Sequence, residues 1–236
     1  MNKQRFFIMA IILAVVVVLA FHPPAFARRM LESTDLVVRF GKRTFAGMLT
    51  HLSERPALAN DSEWVLVAPD GSAEFVWRSF PESGTEYDAA LRIPAEPFIA
   101  AGLDAEKLPK GIFQDGHLVF ALPRASFPDG PSTAALDAES SFGRIMGAHR
   151  DRIAYHYQLG HYGIDMGGGN LLEWAADPRE NALDLVFALE PTALERAGVD
   201  VNAVDGWTLG SVLVHEPGGR KVEVPKLLKP FDLPTD

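Results

Sequence analysis

Apolar residues recur along this chain in two rhythms, and the rhythms come round twice. Phe45, Met48, Leu49 and Leu52 fall at i, i+3, i+4 and i+7, the spacing of one helix face, and so do Phe142, Ile145, Met146 and His149. After the first helix, Glu63 to Ala68 and Ala73 to Trp77 flank Pro69-Asp70-Gly71-Ser72, and an Asp-Gly pair between two such runs predicts a β-hairpin. Asp88 to Ile93 reads as the next strand. Glu96-Pro97 then opens a short helix, at the one place where a missing proline N–H is harmless. Gly102 closes that helix as a C-cap, and His117 to Leu122 is the closing strand. The second round repeats the order: a hairpin ending at Leu172-Glu173-Trp174, a strand Asp184 to Leu189, Glu190-Pro191, Gly198, and a strand Ser211 to His215.

Phe45 and Phe142, and likewise Trp77 and Trp174, are 97 residues apart, and neighbouring signals keep that offset to within a few residues. One offset shared by unrelated signals predicts an internal duplication. The expected fold is α+β: two tandem pseudo-repeats of about 95 residues, each helix, β-hairpin, strand, short helix, strand. The repeats span residues 31–123 and 136–217, with 124–135 linking them and 218–236 a last strand and irregular tail. Each repeat alone is small for a stable core, so a single body fused about a pseudo-twofold is expected. Ile153 to Leu159 alternates apolar and polar and would serve as a strand. A gapless overlay sets it on Pro56 to Ser62, which does not read as a strand. A helix running from about Ala138 to Leu159, ended by Gly160, is therefore favoured, with the strand as the alternative.

The N-terminus changes the setting. Lys3 and Arg5 precede an unbroken apolar run from Phe6 to Phe21, and Ala25-Phe26-Ala27 has the small-x-small pattern of a signal peptidase site. Residues 1–27 are expected to be a cleaved export signal, which puts the protein in the periplasm or outside the cell. Retention as an N-terminal membrane anchor is the alternative, against which sixteen residues is short for a span of about 20. There is no cysteine, so neither a disulfide nor a lipid-bearing thiol is available. With 22 basic against 31 acidic residues, two of the basic ones in the signal, the exported chain is strongly acidic. That argues against nucleic acid and anionic lipid as partners, and no membrane association is expected after cleavage.

Candidate chemistry gathers between His149 and Asn170, which holds three of the seven histidines, three of the four tyrosines and Gly167-Gly168-Gly169. On the overlay the glycines fall on the Asp70-Gly71 turn, so they read as a hairpin turn. No Gly-Lys-Ser/Thr follows them to make a phosphate cradle. A metal ion is the sharper idea for His149, His156, His161 and Asp165. His149 and His156 are seven apart, about 10 Å along a helix, and His161 and Asp165 would lie about 13 Å apart on a strand. One ion would need further ligands, such as His51, His117 or His215. No metal and no cofactor is therefore expected. No nucleophile elbow is present, Ser140 and Ser141 read as N-cap residues, and Asp165, Glu173, Asp177 and Glu180 all suit a solvated surface.

What remains is a contrast between the repeats. On the overlay His149, His156, His161, Tyr162 and Asp165 stand where the first repeat has Leu52, Ala59, Trp64, Val65 and Ala68. Those five are the ligand-binding candidates; no catalytic residue is assigned. The expected function is a non-catalytic binding or structural role toward an unidentified small molecule or extracytoplasmic protein, with the specialised surface in the second repeat. The alternative is an exported metal-binding protein or hydrolytic enzyme with a His/Asp site between the repeats.

Overall fold

The computed structural model describes residues 34–80, 86–127, 134–156, 160–176, 184–215 and 221–234. Residues 1–27, expected to be an export signal, residues 128–133, Asp177, Glu180 and the stretch from Glu216 to Gly219 lie outside the described residues, as does the side chain of His156. In chain order the elements are α1 (Thr34–His51), β1 (Ala57–Ala59), β2 (Glu63–Val67), β3 (Glu74–Arg78), β4 (Tyr87–Pro94), α2 (Glu96–Ala100), β5 (Phe113–Gln114) and β6 (His117–Pro123). They continue with α3 (Ala138–Ala148), β7 (Ile153–His156), β8 (His161–Gly167), β9 (Asn170–Ala175), β10 (Leu185–Leu189), α4 (Pro191–Arg196), β11 (Thr208–His215) and β12 (Lys221–Phe231). No helix among the described residues is long and apolar enough to cross a membrane.

The strands form two six-stranded antiparallel sheets, ordered β1-β2-β3-β4-β6-β5 and β11-β12-β10-β9-β8-β7. Counted from its own first strand, each sheet runs first, second, third, fourth, sixth, fifth, a layout that fits a pseudo-repeat. The alternation of each strand explains the packing: Phe75, Trp77, Ala89, Leu91 and Leu118 of one sheet and Ile164, Leu172, Trp174 and Phe187 of the other all enter one core with α1 and α3. The helices cross over to do this. α1, from the first half, packs on β7 and β9, and α3, from the second, packs on β3.

The joint is reciprocal to the atom. The Trp77 indole N–H donates to the Ala138 carbonyl at 3.1 Å and the Ser141 hydroxyl at 3.0 Å. The Trp174 indole N–H donates to the Gly41 carbonyl at 3.2 Å and the Thr44 hydroxyl at 3.1 Å. Between them the rings of Phe45 and Phe142 lie 4.0 Å apart, centre to centre. At the far end, the Asp104 amide donates to the Ala197 carbonyl and the Asp200 amide to the Ala101 carbonyl, at 2.7 and 2.8 Å. Gly102 and Gly198 face each other there with φ of +102° and +94°, and a Cβ on either would come within 3 Å of the other's carbonyl oxygen. Glycine is required at both places by backbone angle and by space.

Several sequence expectations are corrected. The helix begun at Ala138 ends at Ala148, and Ile153–His156 is a strand. Its counterpart in the first half, Ala57–Ala59, is a strand too, although nothing in Ala-Leu-Ala favours one: both are edge strands imposed by pairing with β2 and β8. The place beside β4 held by β6 is held beside β10 by β12, so Lys221–Phe231 closes the second sheet, and Ser211–His215 belongs to its edge strand. Pro225 therefore sits inside a strand, not at the start of an irregular tail. The N-cap of α3 is Asp137, whose carboxylate accepts from the Ser140 amide at 2.8 Å, while Ser141 is buried beneath Trp77.

Candidate functional site

The hairpin registers show which residues hold matching places in the two sheets. Trp64 stands across from Trp77, and Tyr162 across from Trp174. Tyr162 thus holds the place of Trp64, His161 that of Glu63 and Asp165 that of the exposed Val67. The gapless overlay is one residue out here because the triple-glycine turn is tighter than the Pro69–Ser72 loop. All three glycines have positive φ, which is what a tight hairpin turn needs and other residues resist.

The five candidates do not converge. Tyr162 is buried, stacked on Trp174 with ring centres 6.2 Å apart and tilted against Tyr155 at 4.9 Å. Asp165 sits half-buried at the hairpin end, where its carboxylate accepts from the Gly167 amide at 2.7 Å. The His156 backbone pairs with His161 at the sheet edge. His161 is buried on the sheet face opposite Tyr162, its Nδ1 3.5 Å from Glu173, which is fully buried. A solvated Glu173 was the natural expectation from alternation with Leu172 and Trp174. It is overturned because β7 and β11, the two edges of this sheet, touch. The sheet curls on itself and closes off its outward face.

His149 ends α3 and is buried among charges that the sequence does not bring together. Its Nε2 lies 2.8 Å from Asp88 Oδ2, Arg78 Nε lies 2.9 Å from Asp88 Oδ1, and the Ala125 amide donates to Oδ2 at 2.9 Å. Asp88 is fully buried and Arg78 nearly so. The corresponding aspartate of the second half, Asp184, also catches an amide beyond its sheet, that of Leu233 at 2.8 Å. Asp184 is buried, and burial, opposed by the Leu233 amide and reinforced by Asp232, pushes its carboxyl above the ordinary 3.8. A carboxyl raised on folding makes the native state less stable as pH climbs from its unfolded value through its folded one. Asp184→Asn, which keeps an acceptor for Leu233, should therefore unfold at a slightly higher temperature than wild type at pH 7. Thermal melts should show that gap closing below about pH 4; a variant that is less stable at pH 7 would refute the reading.

An accessible depression lies elsewhere. Leu49 of α1, Arg55 and Pro56 before β1, Trp64 of β2 and Asp137 to Ser140 at the start of α3 line a groove of about 430 Å³. Trp64 is fixed in its wall because its indole N–H donates to the Leu136 carbonyl at 2.9 Å. The two bonds from Ser140, first its amide and then its hydroxyl, hold the Asp137 carboxyl below its ordinary value, so that wall stays anionic. Arg55 also lines the groove, so its lining combines an aromatic ring with charge of both signs. Sequence reasoning missed it because its residues come from both halves and none belongs to a motif. Among the described residues, no group of three His, Asp or Glu side chains is placed to hold a metal ion. No family model, curated protein or solved structure matches this chain.

Proposed function

We propose that this is an exported protein that arose by internal duplication, fused about a pseudo-twofold, and that it binds a ligand without transforming it. The observation that carries the binding reading is the groove at Trp64. Its 430 Å³ falls within the ordinary range for small-molecule sites, and it combines an apolar body with a few fixed polar groups. The duplication is supported by the reciprocal tryptophan bonds, the paired glycines and the two amide-catching aspartates. The ligand is a small molecule, or a side chain of an extracytoplasmic protein, carrying an apolar face beside a charged group. Ligand sites often lie between domains, and this one lies between the two halves.

The hydrolase or metal reading has one observation on its side: His149 and Asp88 do meet across the halves. Against it, the same carboxylate already takes Arg78 and the Ala125 amide and is fully buried. A fragment screen on the exported chain, followed by the Trp64 indole N–H resonance, tests the groove. Binders should move that resonance and lose about tenfold in affinity in Arg55→Ala or Trp64→Ala, a loss of about 1.4 kcal/mol. Binders that leave the Trp64 signal still and are indifferent to both substitutions would defeat the proposal. Conversion of any binder to product would defeat its non-catalytic part.

A further inference from the structure

The place that matches the Trp64 groove in the other half is covered, and the contrast shows what the open one carries. The tryptophan bonds give the matching positions on the helices: Ala138 and Ser141 receive the Trp77 indole as Gly41 and Thr44 receive that of Trp174. Counted from them, Phe40 holds the place of Asp137 and Lys42 that of Glu139. On the sheets, Tyr155 pairs with Tyr162 as Leu58 pairs with Trp64. The Tyr155 ring lies 4.9 Å from that of Tyr162, centre to centre, and Tyr162 is buried. Leu58 is exposed and Trp64 only half-buried. The first half thus leaves open an aromatic surface that the second half covers.

The charges differ in the same way. Arg152, in the place that matches Arg55, donates to the Asp165 carbonyl at 3.4 Å. Arg55 has no such tie. Arg55 and Glu139 both line the groove and are exposed, and neither side chain makes a hydrogen bond or ion pair with a described residue, the other included. Asp137, two residues before Glu139, is bound by the amide and hydroxyl of Ser140 and keeps its charge. A phenylalanine and a lysine stand in the places of this acidic pair in the second half, so packing of the fold does not demand it. A cation and a carboxylate that line one groove without meeting are each open to a ligand's opposite charge.

We infer that the groove takes a zwitterion, an amino acid or short peptide that lays an apolar side chain on Trp64, its ammonium group at Glu139 and its carboxylate at Arg55. The inference rests on the groove being the ligand site. A guanidinium takes a carboxylate through paired N–H donors, and an ammonium group over an indole face gains from the ring as well as from the carboxylates beside it.

Titration of the exported chain with phenylalanine, alanylphenylalanine, phenylalanine amide and N-acetylphenylalanine, read at the Trp64 indole N–H resonance, tests this. The amide lacks the carboxylate and the acetylated form lacks the ammonium group. At least one of the two zwitterions should move the resonance, and whichever binds more tightly separates amino acid from peptide. Each blocked probe should bind about fivefold more weakly than phenylalanine, the upper end for exposed ion pairs. Glu139→Gln should weaken the zwitterions and the amide about fivefold and leave N-acetylphenylalanine within about twofold, and Arg55→Gln should spare the amide instead of the acetylated form. Both positions are exposed, and Asp137 is left intact because it caps α3. Blocked probes that bind within about twofold of the zwitterions would overturn the inference and leave the groove reading standing. Zwitterions that leave Trp64 still where other fragments move it would do the same. Stillness toward zwitterions and fragments alike would overturn both.

Discussion

Asp88→Ala should cost about 3–5 kcal/mol of folding stability, seen as a lowered midpoint in urea with little change in slope. The reason is what the substitution leaves behind. Arg78, His149 and the Ala125 amide all place a nitrogen within 2.9 Å of this one carboxylate. Removing it strands a buried guanidinium, a buried imidazole and a half-buried amide without their partner, a desolvation cost that nothing offsets. Asp88→Asn should fall between, since it keeps one acceptor and loses the charge. Replacing Asp88 touches strands, helix and linker together, so the cost should appear as loss of the whole fold, not of one element. A loss for Asp88→Ala no greater than about 1 kcal/mol, the range of exposed pairs, would mean the trio is solvated in solution.

Phe142→Ala is expected to be comparably severe, about 3–5 kcal/mol, which for a chain of this size is a fall in melting temperature on the order of 10 °C. Phe142 is fully buried and meets Phe45, Phe75, Trp77 and Trp174. Phe45 meets Phe75, Trp77, Trp174 and Phe142 in turn. Because the two rings are in contact, one large cavity would serve both truncations. The double variant Phe45→Ala/Phe142→Ala should therefore lose clearly less than the sum of the singles. Strict additivity in thermal or urea unfolding would contradict the shared core.

Much of the fold was legible because the same periodicities recur in both halves of the chain. The helix faces at Phe45 and Phe142, the Asp70-Gly71 hairpin, the proline-started short helices and the glycine caps each carry a local physical cause. β1 and the full length of β12 were hidden because pairing creates them, whereas β7 showed its alternation and was passed over because the overlay set it on a stretch that does not read as a strand. Ala57-Leu58-Ala59 has no strand preference of its own, and Pro225 hides the continuity of β12. The candidate residues were legible only as types. His149 was marked, but its partner Asp88 lies 61 positions away, and no local pattern joins them. Glu173 alternates as a surface residue should, and only curling of the sheet encloses it. The groove draws on both halves, so the gapless overlay, which compares positions one to one, had no means of finding it.

The glycine pair at the joint has a mechanical consequence. Gly102 and Gly198 leave room for a hydrogen atom and little more, and the amides of Asp104 and Asp200 tie the same two turns from either side. A slide of one half along the other would drive a carbonyl into the opposing backbone. Rotation about the contact would not. Any breathing of the two halves should therefore pivot at this point, so that the groove beside Trp64 widens or narrows by tilt with the joint itself unmoved.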